Sequence, residues 1–506
     1  MTQSQVNLSS QNVISVVETI RRSANYKPNI WKYHFLQSLT SKYNKEEFVI
    51  QLNQLVMEVK GLFVQETCLL KKLELVDWIQ KLGLTNYFQK EINEFLESIL
   101  VYVQNGNINP NVEQNLHVSA LCFRLLRQHG YPVLPDTVSS FLDEKGKVMR
   151  KNSNAGGDAK DVVELLEASH LGLEGETILD EAKTCAINSL KDASININQL
   201  TKMVHALELP SHWRVPWFDV KWHVEQYKNE KNMNPLLLAL AKLNFNMIQA
   251  TLQSEVKELS RWWENLGIEK ELSFARNRWD DKEVDELPEY MRICVHALKD
   301  VTDEIAYEIG GENNFHLVLP YLKKAWIDFC NTLYVEAKWY NKGYIPSLQE
   351  YLSNAWISSS GPVIFLHSYF ATMHQATNAN HEIGDFLHTC EDLIYNVSLV
   401  IRLCNDLGTS VAERERGDAA SSILCYMNEM EASEEKARKH IQDMINKAWR
   451  KINGFCLSQV ASVEPFVTQA LNIARVAHTL YQNGDGFGIQ DRDIKKYILS
   501  LVVEPL

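Results

Sequence analysis

Glycine and proline are scarce, 21 and 13 among 506 residues, together about 7% against roughly 12% in average usage. So few turn formers exclude a strand-and-turn protein. No apolar run reaches the 18 or so residues that span a bilayer, so no membrane partner is expected. No sustained run of Lys or Arg is present, and 51 basic against 64 acidic side chains leave a net charge of −13. That balance excludes the phosphate-neutralising surface that nucleic-acid binding requires. Nine cysteines lie far apart, without a CxxC pair or a His-rich partner segment. They read as reduced, mostly buried thiols of an intracellular protein rather than a disulfide or zinc framework. The first twenty residues hold no Lys or Arg and are too short and polar for a signal or transit segment, so a cytoplasmic location is expected. Several common catalytic signatures are also missing: HExxH, GxSxG, GxxxxGK[ST] and GxGxxG.

What is present is helix after helix. Hydrophobic residues make up 45% and charged residues 23%, as in a globular interior, and the length suits two or three domains. Phe88, Ile92, Phe95, Leu96, Ile99, Leu100 and Val103 follow the spacing of one helical face, which Asn-Gly-Asn then ends. Val118 to Gln128 repeats the pattern, with Gly130 placed for a left-handed C-terminal residue. KNSNAGGD, from 151 to 158, reads as a loop. Ser347 with Glu350 predicts a capping box. Ser358-Ser359-Ser360-Gly361-Pro362 then predicts a break inside a buried helix pair, because proline removes a donor and disfavours helical geometry before it. The segment LPSHWRVPWFDVKW carries Trp213, Trp217 and Trp222 and reads as a domain seam, with these indoles packed there.

The segment with the most chemical content runs from Ile401 to Glu413. At 100° per residue, Asn405, Thr409, Glu413 and Arg402 share one helical stripe. Three oxygen ligands over two turns suit a hard cation that keeps some waters beside a substrate phosphate, and the arginine would hold a diphosphate oxygen. On spacing alone the same residues also read as a capping Asn or Thr with a solvated Glu.

This stretch resembles the (N/D)Dxx(S/T)xxxE motif of class I plant terpene synthases, and other segments agree in family order. Arg21-Arg22 with Trp31 resembles RRx8W, and Arg276-Asn277-Arg278 resembles RxR. Glu336-Ala337-Lys338-Trp339-Tyr340, the break at Gly361-Pro362, Arg416-Gly417, and Tyr481 with Asp485-Gly486-Phe487-Gly488 also match. ANYKPNIW, RVPWFDVKW and SSIxCYM look most like the cytosolic α-farnesene synthases. The resemblance implies an all-α fold of two helical domains: a relict α-barrel over 1–215, and a class I terpenoid synthase bundle over 216–506. It implies Mg²⁺, with Mn²⁺ as a substitute ion, and an isoprenyl diphosphate substrate bound by a monomer. In this reading Asn405, Thr409 and Glu413 hold metal, and Arg276, Arg278, Arg402 and Asn405 hold diphosphate. Tyr481 and Asp485 act in catalysis, and Arg21, Arg22 and Trp31 cap the site. The implied reaction is ionisation of farnesyl diphosphate and deprotonation of the carbocation to a volatile olefin such as α-farnesene. No DxDD sequence supports protonation-initiated cyclisation.

One departure is large. In the family, RxR leads through about 55 mostly apolar residues, carrying DDxxD, to a WD…LPEYM segment. Here Arg278 is followed directly by Trp279-Asp280-Asp281 and then Leu287-Pro288-Glu289-Tyr290-Met291. The bundle is therefore expected to be incomplete between Arg278 and Trp279 by on the order of 80 Å of helix. Asp280, Asp281 and Asp285 read as a solvated acidic turn, with substitute metal binding as the alternative. A catalytically impaired homologue or splice form is the alternative reading of the whole chain.

Overall fold

The computed structural model describes residues 31–104, 115–139, 141–142, 159–191, 197–266, 289–373, 383–418, 420–458, 464–486 and 492–506. The expectations for Arg21, Arg22, Arg276, Arg278, the Arg278/Trp279 junction, Asp280, Asp281, Asp285 and the 151–158 loop lie outside these residues. Among the described residues there is no strand, and no helix is long and apolar enough to cross a membrane.

The first set of helices is α1 (Tyr33–Ser38), α2 (Glu46–Gln65), α3 (Leu69–Lys81), α4 (Gln89–Gln104), α5 (Leu116–Gln128), α6 (Asp136–Ser139), α7 (Ala159–Ser169), α8 (Thr177–Lys191) and α9 (Ile197–Glu208). Next come α10 (Pro216–Lys228), α11 (Pro235–Leu266), α12 (Glu289–Lys342), α13 (Leu348–Ser358), α14 (Gly361–Met373) and α15 (Ile383–Thr389). The chain closes with α16 (Glu391–Arg416), α17 (Ser422–Met430), α18 (Glu434–Ser458), α19 (Glu464–Tyr481) and α20 (Arg492–Val502).

Local chemistry accounts for the boundaries. Ile92, Phe95, Leu96 and Ile99 are buried along one face of α4, continuing from the buried Phe88 just before it, as the period requires. Gly130 follows α5 at φ 78°, a conformation that glycine adopts without a Cβ penalty. Ser347 caps α13, its hydroxyl accepting from Glu350 N at 3.1 Å. The reciprocal half of the box is not made, because the Glu350 carboxylate accepts instead from Tyr344 Oη at 2.7 Å. The expected break is present: Ser360 takes φ 65° and α14 starts at Gly361. A Cβ on Gly361 would stand 2.1 Å from Ser398 Oγ, so α14 and α16 meet backbone to side chain only because residue 361 is glycine. The long α12 bends at Gly311, where φ 59° and ψ −169° leave helical geometry.

Two hydrophobic cores result. The first gathers α2 to α5, α7, α8, α10 and the start of α11; the second gathers α12 to α14 and α16 to α19. The chain crosses between them around the expected 215/216 cut: Leu209 and Trp213 sit in the second core, whereas Val220, Val224 and Leu237 return to the first. Of the three indoles expected at the seam, only Trp213 is there, stacked on Trp449 at 5.4 Å and on His478 at 4.8 Å. Trp217 lies against Phe245 of the first core, and Trp222 lies flat on His205. The odd spacing of these tryptophans sends them to different sides of α10 and its approach.

Polar contacts weld the seam. Asn453 Nδ2 donates to His170 O and Gly172 O, both at 3.1 Å, while its Oδ1 shares a 2.8 Å hydrogen bond with His212 Nε2. Arg475 Nε donates to His212 O at 2.9 Å, and Arg450 binds both Leu173 O and Asp180. The final segment is held by amides one helical face apart on α11: Asn246 accepts from Leu506 N, Gln249 donates to Leu501 O, and Gln253 donates to Val502 O. No disulfide forms among the described residues, and Cys122, Cys185, Cys390, Cys404 and Cys425 are buried thiols.

Trp213 concentrates this contact, so Trp213→Ala is expected to destabilise by about 3–5 kcal/mol, read as a lowered midpoint in thermal or urea unfolding.

Candidate active site

Helix α16 runs through the middle of the second core, against α18 and α19 on one side and α13 and α14 on the other. It begins with Glu391 and Asp392, ends with Arg414 and Arg416, and closes on Gly417 in the left-handed conformation. That charge order opposes the helix dipole at both ends. The helix places Arg402, Asn405, Thr409 and Glu413 on one stripe, as their spacing requires.

A buried carboxylate that the motif reading left without a role organises this stripe. Asp406 is 1% exposed and accepts from Tyr351 Oη at 3.1 and 3.0 Å and from Ser422 N at 2.8 Å. Burial lifts its carboxyl above the ordinary range, against the pull of Arg402 and these hydrogen bonds. Arg402 stands 3.8 Å away and keeps its charge. Its other donors are fixed from below: Nε to Ala355 O at 3.3 Å and Nη2 to Ser358 Oγ at 3.0 Å. Ser358 in turn donates to Glu336, which also lies 4.0 Å from Arg402. Glu336, quoted above only as part of a matching string, thus supports the guanidinium from α12.

Toward the other end of the stripe, Arg402 Nη1 reaches Asn405 Oδ1 at 3.4 Å, and Thr409 Oγ1 donates to Asn405 O at 2.8 Å. Tyr481 hydrogen-bonds to Asn405, with the charge of Asp485 beside it, and burial raises its phenol. The Glu413 carboxyl is pushed up to about 7, chiefly by burial and next by the Asp406 charge. Gly408 allows the close fit: a Cβ there would stand 2.8 Å from Tyr481 O and 2.9 Å from Gly484 O. The turn after α19 therefore presses directly on α16, one turn from Asn405. Trp31 lies far along the chain but meets the last helix, with Lys495 Nζ 5.8 Å from its ring centre.

The structure thus brings together Arg402, Asn405, Thr409, Glu413, Tyr481 and Asp485. Sequence reasoning missed Asp406, Glu336 and Gly408 as contributors; of these only Gly408, a glycine inside a charged helix, carried a visible signal. The pocket beside Glu413 is small, about 30 Å³. The large cavity of the described residues, about 1380 Å³, lies in the first helical body.

The model of the terpene synthase N-terminal domain matches residues 30–208, and that of the terpene synthase family metal binding domain matches residues 270–451. The chain belongs to the terpene synthase family. It is 46% identical to an alpha-farnesene synthase of Ricinus communis, over 96% of this chain and 95% of that one. An (E,E)-alpha-farnesene synthase of Malus domestica is also 46% identical, with 96% and 94% covered. A limonene synthase solved with 2-fluorolinalyl diphosphate superposes with a TM-score of 0.86 at 33% identity, covering 96% of this chain and all of that one. Grey poplar isoprene synthase, solved with three Mg²⁺ ions and dimethylallyl-S-thiolodiphosphate, gives 0.81 at 34% identity, with 94% and 99% covered. The Ricinus communis alignment spans 546 positions, whereas 96% of 506 residues is about 486. About 60 positions of that relative therefore face no residue of this terpene synthase, in keeping with the block expected to be missing.

Two outcomes test this geometry. Gly408→Ala is expected to push the Tyr481–Gly484 turn off α16 and destabilise by about 1–3 kcal/mol, seen as a lower Tm. In the metal-free enzyme a Glu413 carboxyl raised from the ordinary 4.5 to about 7 favours the fold below pH 4.5 and loses that advantage as pH rises through 7. Glu413→Gln should therefore raise the Tm at pH 8 and change it little near pH 4.5, measured by calorimetry in chelator.

Proposed function

We propose that this enzyme ionises farnesyl diphosphate and releases an acyclic farnesene-type olefin, with Asn405, Thr409 and Glu413 as metal ligands and Arg402 as a diphosphate ligand. The observation that supports it most is the oxygen-donor stripe on α16, where Asn405, Thr409 and Glu413 follow one another beside Arg402. The donor set fits Mg²⁺, a hard ion that prefers oxygen and keeps waters; Mn²⁺ has the same preference. When bound, the ion would supply positive charge to the departing diphosphate. The names of the two farnesene synthases support the substrate and product class.

Each residue has a task in this reading. Asp406, with Tyr351 and Ser422 N on its oxygens, fixes α16 so that the stripe does not rotate. Glu336 and Ser358 fix the Arg402 guanidinium against α13, beside the stripe, where its charge would meet a diphosphate oxygen. Tyr481 orients Asn405 from the turn that Gly408 admits. In this reading Asp485, beside that phenol, takes the proton from the allylic cation. Arg276 and Arg278 would add positive charge over the leaving group, and Arg21, Arg22 and Trp31 would cover the mouth. The chain is proposed to act as a cytoplasmic monomer.

A second reading has its own observation. About 60 aligned positions are absent and the sequence holds no DDxxD. Trp262, Trp263 and Tyr307, on either side of the junction, are exposed. A chain with one metal-binding stripe would then bind diphosphate but ionise it slowly. The purified protein, incubated with farnesyl diphosphate and Mg²⁺ or Mn²⁺ under a solvent overlay, decides between the readings. The first expects a farnesene-type olefin and released diphosphate, abolished by Asn405→Ala. The second expects Mg²⁺-dependent binding of the diphosphate with no volatile product.

A further inference from the structure

The first helical body contains a group of metal-ligating side chains that the reaction on α16 does not use. His205 stands in the last turn of α9, while Asp219 and His223 stand four residues apart on one face of α10. One ligand atom of each lies within 4.8 Å of the others. His205 Nε2 is 2.8 Å from Asp219 Oδ2, and His223 Nε2 is 3.6 Å from the same oxygen. Ligands of a tetrahedral ion at 2.0–2.1 Å are about 3.3 Å apart, so the two distances bracket the spacing that a shared ion demands.

We propose that His205, Asp219 and His223 form a site for a borderline divalent ion of the zinc type, separate from the Mg²⁺ stripe on α16. The donors are already aimed. The Trp222 ring lies flat on His205 with centroids 3.7 Å apart and planes within 9°, which fixes the imidazole with Nε2 toward the carboxylate. His223 is buried, and its Nε2 stands beyond a good hydrogen bond from Asp219. The nearby Arg214, 3.7 Å from Asp219, is committed elsewhere: Nε donates to Leu209 O and Nη2 to His205 O. It thereby pins the end of α9 that carries His205, while its charge lowers the affinity for any cation. The second observation is access. His205, Trp222 and His223 line the cavity of about 1380 Å³, which gives an ion a route in and leaves its fourth position to solvent. Two imidazoles and one carboxylate select zinc-like ions over Mg²⁺, which prefers oxygen throughout. The ion would clip α9 to α10 just where the chain crosses from one core to the other.

The test uses the full chain, stripped by chelator and titrated with Co²⁺ and Zn²⁺ in excess Mg²⁺. One equivalent is expected to bind, with the visible absorption of low-coordinate Co²⁺, and Zn²⁺ should raise the Tm by a few degrees. His223→Gln and His205→Gln should each weaken binding by more than the roughly 10–100-fold of outer-shell changes. X-ray absorption of the zinc-loaded wild-type chain, expected to show two imidazoles and no sulfur, reads the same site without any variant. A wild-type chain that retains no equivalent overturns the proposal. So does wild-type affinity in both histidine variants, or a sulfur-ligated zinc, which would place the ion on cysteines. Every readout is independent of olefin synthesis, so failure here leaves the α16 reading untouched.

Discussion

A single buried carboxylate sets the geometry of the catalytic half. Asp406 lies in the middle of α16, almost wholly removed from water, and is served by two donors from two other helical elements, the Tyr351 hydroxyl shared between its oxygens and Ser422 N. A carboxylate in so dry a place is expensive unless its oxygens are occupied. The tyrosine of α13 and the first amide of α17 are therefore held to fixed positions around it. The stripe of Asn405, Thr409 and Glu413 inherits its orientation from that arrangement, because a helix cannot turn one face without turning the other. Arg402 completes the pattern as the nearest cation, held in place by Ser358 and Glu336.

Close backbone approach is the second constraint, and two glycines carry it. Gly361 lets α14 meet Ser398, and Gly408 lets the turn after α19 lie on α16. Both contacts bring distant parts of the chain against α16, and both would be forced open by one methyl group. The seam between the cores works differently: there Asn453, His212, Arg475 and Arg450 tie side chains to backbone carbonyls across the boundary. The first body is thereby fastened to α18 and α19, the helices that pack on α16. Stability of the two halves and geometry of the stripe are consequently linked.

Local signals were legible in the sequence where they depended on nearby residues. The α4 face, the left-handed Gly130, the Ser347 cap, the break before Pro362 and the α16 stripe all rest on spacing within a few turns. The capping box was half right, because whether Glu350 turns back to its own helix depends on Tyr344, whose position is a tertiary matter. The tryptophans read as one seam cluster, yet Trp213 reaches the second core ahead of α10, while α10 sends Trp217 to the first core and Trp222 to His205. Asp406 and Glu336 had no legible role, since a buried acid differs from a surface acid only by what folds over it.

By itself the sequence determined the helical class, the family and the order of donors along α16, because periodicity, caps and motif spacing are written into consecutive residues. It also raised the expectation of a missing block between Arg278 and Trp279, since motifs that lie far apart in the family stand side by side here. Only the tertiary structure decided that Asp406 is the buried anchor of that stripe and that Glu413 is raised toward neutrality. It alone brought His205 of one helix against Asp219 and His223 of the next. The physical reason is common to all three: burial and charge proximity are properties of packing between elements, and no spacing along the chain encodes the distance between two helices.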